Sequence, residues 1–134
     1  MLRFFERYSF YTLRIPLIIY WIVLLILTSL PTGLALQTDF SDKINHFGAY
    51  GILSVLLFLN LKVQNKSQIL KKYAGTFTII IASLYGIIDE IHQIFVPGRS
   101  AEFGDWLADF SGAVIAVLIS QFWYNYQNRT IEAE

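Results

Sequence analysis

Asp42, His46 and Tyr50 fall at every fourth position, so a helix would place them on one face, with Lys43 beside them. Tyr85, Asp89 and Gln93 repeat that spacing further along, with Glu90 and His92 one position to either side of the stripe. Asp105, Asp109 and Gly112 share a third face, continued by Ala113 and Ala116. Carboxylates and imidazoles brought together can move protons as general acids and bases. The same groups form the oxygen and nitrogen ligand set that suits Mg, Mn or Zn. Arg99 offers a fork of donors to a phosphate or carboxylate, and Lys43 a point charge. The candidate catalytic residues are therefore Asp42, His46, Glu90, Gln93, Asp105 and Asp109. Lys43, Tyr50 and Arg99 are the candidate substrate-binding residues. A divalent metal would draw its ligands from Asp42, His46, Glu90, Asp105 and Asp109. No Ser stands in a recognisable nucleophile motif, there is no Cys, and no motif for an organic cofactor is present.

Each residue also has a purely structural reading. Asp42 and Asp105 stand where helices are expected to begin, where a carboxylate caps the free N–H groups and favours the helix dipole. His46 can be a satisfied buried histidine, and Arg99 can pair with Asp105 or Glu102. Val96-Pro97-Gly98-Arg99 suits a type II turn, with Pro and Gly at its two central positions, and that turn would end the third helix. Asp109 and Glu90 lie within apolar patterns where no helix end needs capping, so they fit a structural reading least well.

The elements that must carry these residues are strongly apolar. The chain has 134 residues, of which 55% are hydrophobic and only 15% charged, against about 25% charged in an ordinary soluble domain. Mean hydropathy is +0.51. Ten basic residues balance ten acidic ones, so the excess of positive charge needed for nucleic acid is missing. Four apolar spans are expected, at about 15–35, 43–62, 73–96 and 104–127, within a single domain covering 1–134. Tyr20 to Leu27 and Val114 to Ile119 are apolar all round, whereas helices of a soluble bundle keep a polar face. Tyr11, Tyr73, Trp106, Trp123, Tyr124 and Tyr126 near the span ends fit aromatic belts. The expectation is an all-α, integral membrane four-helix bundle. An alternative for the first span is a signal peptide cleaved after the small-x-small run Gly33-Leu34-Ala35. The apolar run is longer than a usual signal core, which favours a retained helix.

Positive loops stay in the cytoplasm. Arg3, Arg7 and Arg14 precede the first span, Lys62, Lys66, Lys71 and Lys72 lie between the second and third, and Arg129 follows the fourth. Both termini are therefore expected inside, with the 31–43 and 96–105 connections outside. Eight basic residues against three acidic ones (Glu6, Glu132, Glu134) leave +5 on the inner side. On the outer side, Lys43 and Arg99 against Asp39, Asp42, Asp89, Glu90, Glu102, Asp105 and Asp109 leave −5. Topology accounts for the bases, but not for seven acids gathered at one end.

The ordered set Asp42-Lys43-x-x-His46-x-x-x-Tyr50, then Asp89-Glu90-x-His92-Gln93-x-Phe95-x-Pro97-Gly98-Arg99, then Asp105-x-x-Ala108-Asp109-x-x-Gly112, resembles the VanZ-like family. These are small membrane proteins whose founding member is associated with resistance to the glycopeptide teicoplanin. The resemblance covers about residues 16–120. It implies a multi-pass protein of the cell (cytoplasmic) membrane with an envelope function and a link to antibiotic resistance. Asp109 stands where many members carry Asn, which adds an acid to the cluster.

Three functions are compatible with these residues. One is a membrane-embedded, metal-dependent hydrolase or transferase acting on a lipid-linked cell-wall precursor; without a metal, His46 oriented by Asp42 would serve as the base. Another is a non-catalytic protein that binds or shields a surface target or a glycopeptide. In the third, the polar residues only fasten the helices together. The lipid bilayer is a partner in all three, and nucleic acid in none.

Overall fold

A computed structural model describes residues 8–31 and 39–132. The possible cleavage site at Gly33 to Ala35 lies outside them, as do Arg3, Glu6, Arg7 and Glu134. Helix α1 spans Ile15–Thr28 and is entered through a π-helical turn at Phe10–Arg14. Pro16 has no N–H to give the Thr12 carbonyl, and a widened turn before it is the local answer. Helix α2 spans Asp39–Val63, the short α3 Gln68–Lys72, α4 Ala74–Gln93 and α5 Phe103–Glu132. Among the described residues there is no strand.

The connections are built by side chains that satisfy free backbone groups. Gln64 accepts from the N–H groups of Lys66 and Ser67 (2.7 and 2.9 Å) and donates back to the Ser67 carbonyl. Ser67 then caps α3 by accepting from Leu70 N–H. The α4–α5 connection turns at Val96–Arg99, closed by Arg99 N–H to the Val96 carbonyl at 3.1 Å. Gly98 has φ 80°, the left-handed value a type II turn requires at that position.

Four helices, counting α1 with its entry turn, are long and apolar enough to cross a membrane. A 20-residue helix such as α4 is about 30 Å long, the thickness of the hydrocarbon core. Their large exposed side chains are those that lipid would cover: Ile18, Ile19, Ile22 and Ile26 on α1, Ile80 and Leu84 on α4, and Leu118 and Ile119 on α5. The chain is thus an all-helical, multi-pass membrane protein.

Helices α2 and α5 approach most closely. At Gly112 any Cβ would collide with the Phe47 carbonyl, so only glycine allows the two backbones to meet there. Towards one end of the bundle Phe58, Ala74, Val117 and Tyr124 form an apolar cluster, with the Lys62 ammonium over the Phe58 and Tyr124 rings. Nearer the other end Leu24, Tyr50, Leu53, Ala82 and Ala113 pack with Trp21 and Tyr85. The polar residues sit above that second layer. Within the membrane-spanning part, Tyr20 Oη of α1 donates to the Ala49 carbonyl (3.0 Å), and Asn60 Nδ2 to the Leu13 carbonyl of the entry turn (2.9 Å).

Candidate functional site

Three helices each contribute one face. Helix α2 brings Asp42, Lys43, His46 and Tyr50. From α4 come Gly86, Asp89, Glu90 and Gln93, and from α5 Asp105, Trp106 and Asp109. His46 Nδ1 lies 3.0 Å from Asp109 Oδ1, with the imidazole N–H donating to the carboxylate. Asp109 is 0% exposed and His46 8%. The space for the carboxylate comes from Gly86: a Cβ built there would lie 3.1 Å from Asp109 Oδ2 and 3.3 Å from the Trp106 ring. Trp106 is held by its own indole N–H, which donates to the Ser83 carbonyl at 3.2 Å.

Glu90 completes the inner group. Its Oε2 accepts the backbone N–H of Glu102 at 2.7 Å, which fixes the start of α5 against α4. Its Oε1, like Asp109 Oδ2 and Tyr50 Oη, is buried with no hydrogen-bond partner among the described residues. An unpaired carboxylate oxygen is costly to bury, and here two lie in one cluster. One ligand atom each from His46, Glu90 and Asp109 falls within 4.8 Å of the others. A Zn or Mg ion needs contacts of about 2.0–2.2 Å, so a small closure of these side chains would surround a cation. Mixed imidazole and carboxylate ligands fit a divalent metal.

A second triad, Asp42, His46 and Asp105, shares the histidine and lies nearer the helix starts. Lys43 already provides a positive charge there. Its ammonium donates to Asp105 Oδ1 at 3.0 Å and to Glu102 Oε2 at 3.1 Å. The inner triad is therefore the better cation site.

The remaining candidates have separate places. Gln93 is buried one turn along α4 and donates to Asp89 Oδ2 at 3.3 Å, so it orients Asp89 and does not enter the triad. Tyr50 lies beneath the site, its ring centre 5.9 Å from that of Tyr85. Arg99 pairs with neither Asp105 nor Glu102; its Nε and Nη2 donate to the Leu30 and Leu27 carbonyls. It thereby adds donors at the C-terminal end of α1, where the Leu27 carbonyl also accepts the Leu30 N–H at 3.3 Å. The capping reading of Asp42 and Asp105 gives way as well. Helix α2 already begins at Asp39 and α5 at Phe103, so both residues stand inside the first turn. The Asp105 carboxylate bonds Lys43 instead.

Two residues make contacts that spacing did not foretell. Glu102 is a loop residue without periodicity, yet its backbone fixes Glu90 and its side chain holds Lys43. His92, off the polar stripe, bridges α4 to α1 through Ser29 Oγ at 3.0 Å. Ser29 donates its own proton to the Leu25 carbonyl at 2.6 Å, so His92 Nε2 is the donor.

The fold and the site define a small polytopic membrane protein with a buried carboxylate–imidazole centre at one end of its bundle. Within that class, the sequence profile of the VanZ/LLP1 family matches residues 3–124, and the chain belongs to this family. No curated protein and no solved structure matches the chain.

Proposed function

We propose that this VanZ/LLP1 protein is a metal-dependent hydrolase or transferase of the cytoplasmic membrane, acting at the outer face on a lipid-linked cell-wall substrate. His46, Glu90 and Asp109 hold the cation. The observation that carries the reading is the pair of buried, unpaired oxygens, Glu90 Oε1 and Asp109 Oδ2, in one cluster with His46. A bound divalent ion supplies positive charge to the oxygens of a phosphoryl or acyl group. The chain's own residues supply the rest. Glu102 fixes Glu90 through its backbone, Gly86 leaves room for Asp109, and Trp106 closes the side against lipid. Lys43 neutralises Asp105 at the mouth.

The charge distribution supports the orientation, since the basic residues gather at the opposite end from the site. The family link makes glycopeptide susceptibility the phenotype to measure. Cells carrying the gene should tolerate more teicoplanin than cells without it. Complementation with His46→Ala or Glu90→Gln should fail although the protein reaches the membrane in normal amount. Full complementation by both variants would refute the catalytic reading. Loss with His46→Ala alone would favour a binding role, in which a neutral isostere at Glu90 is tolerated.

A further inference from the structure

The candidate site opens sideways. A groove of about 580 Å³ runs between α1 and α2, within the ~300–1,000 Å³ of small-molecule sites. Its walls are Leu24 and Leu27 of α1 and Ile44, Gly48 and Ile52 of α2. Ile44 is 54% exposed, Ile52 53% and Leu27 51%, so the groove opens on the surface a bilayer covers, while buried Leu24 and Tyr50 form its floor. The hydroxyl of Tyr20, also in its lining, bonds the Ala49 carbonyl behind it. A Cβ built at Gly48 would meet nothing within 4 Å, so the groove is open at that point. The shape is that of a slot for an extended apolar chain.

One end of the slot is charged. Asp42, His46, Asp89 and Arg99 line it, so it reaches the imidazole of the candidate centre. Arg99 places two of its five donors on carbonyls of the α1 end, which sets the guanidinium in position and leaves donors over. Two carboxylates and one guanidinium match neither a purely anionic head nor an uncharged one. An anion would face Asp42 and Asp89, and a neutral group would leave all three charges unpaired. A head bearing one phosphate and one primary ammonium answers both signs.

We propose that the groove between α1 and α2 takes a phospholipid whose head carries a phosphate and a primary ammonium, with the phosphate at Arg99 and the ammonium at Asp42 and Asp89. This is a lipid site beside the centre proposed above, distinct from its cell-wall substrate, and a link to chemistry at His46 rests on that reading. The lipid enters from the bilayer, its chain along Gly48 and its phosphate beside His46.

The test is native mass spectrometry of the full chain released from detergent, titrated with phosphatidylethanolamine or with phosphatidylglycerol of the same acyl chains. Phosphatidylethanolamine should bind roughly tenfold or more tightly than phosphatidylglycerol, the scale of one charge-assisted hydrogen bond. Gly48→Phe, which fills the open slot, should remove that binding, and Asp42→Asn should reduce the preference between the two lipids. Equal binding of both lipids by the unaltered chain, or undiminished phosphatidylethanolamine binding by Gly48→Phe, would overturn the proposal. Mn²⁺ binding measured on the same samples separates the two ideas. Gly48→Phe should keep Mn²⁺. If the unaltered chain selects phosphatidylethanolamine but takes up no Mn²⁺, the groove stands and the metal reading fails.

Discussion

His46 Nδ1 and Asp109 Oδ1 meet at 3.0 Å across the interface of α2 and α5, 63 residues apart in the chain and both buried. With the Lys43–Asp105 bond, this contact joins the two most closely packed helices at the level of the site. Removing the imidazole leaves a fully buried carboxylate without its donor. His46→Ala should therefore destabilise the protein by ~1–3 kcal/mol. In an Asp109→Asn background the same change should cost less than half as much, because no charge is then stranded. Reversible unfolding in mixed micelles measures the cycle, and additive effects would contradict the coupling.

Gly112 and Gly48 lie on facing and open surfaces respectively, and should respond in opposite ways. Gly112→Ala pushes a methyl into the Phe47 carbonyl and forces the two backbones apart, at an expected ~1–3 kcal/mol. Gly48→Ala meets nothing within 4 Å and gains up to ~1 kcal/mol of helix propensity. The order of midpoints in an unfolding titration decides this.

Lys43 holds one buried and one exposed carboxylate, with side-chain exposures of 4% for Asp105 and 51% for Glu102. Glu102→Gln should change stability by less than ~1 kcal/mol, as for exposed ion pairs. The backbone bond from residue 102 to Glu90 survives that substitution. Lys43→Met should cost more, because Asp105 loses its donor in a buried setting. Equal effects would show that Asp105 is served by water.

Because the chain has no cysteine, single cysteines report orientation cleanly. Ser100→Cys, in the exposed α4–α5 connection, should react with a membrane-impermeant maleimide in intact cells. Asn65→Cys, in the exposed α2–α3 connection, should react only after the cells are opened. The reverse pattern would invert the topology.

The membrane helices could be read from apolar runs with no polar face, as at Tyr20 to Leu27, because lipid exposure leaves that pattern on every side. The three polar stripes could be read too, since a helix fixes which residues share a face. The pairing of His46 with Asp109 needed more than spacing, because it depends on α2 and α5 being adjacent. Helix ends were harder to place. Helices α2 and α5 begin three and two residues before Asp42 and Asp105, so the expected caps became first-turn residues free to bond elsewhere. Arg99 was read as a ligand fork or an acid partner, but a neighbouring helix end claimed two of its donors. Glu102 carried no pattern, because its bond to Glu90 uses a backbone N–H that any residue would supply, and its carboxylate meets Lys43 only once α2 and α5 are adjacent.

The central claim is that His46, Glu90 and Asp109 hold one divalent cation, and equilibrium Mn²⁺ titration followed by electron paramagnetic resonance tests it most directly. The purified chain should bind one Mn²⁺, more weakly as the solution is acidified, since the ion displaces protons from its ligands. His46→Gln and Glu90→Gln should each lower the affinity by about 100-fold or more, beyond the ~10–100-fold typical of groups that only support a ligand. Failure of the unaltered chain to bind Mn²⁺, or unchanged affinity in both variants, would contradict the account.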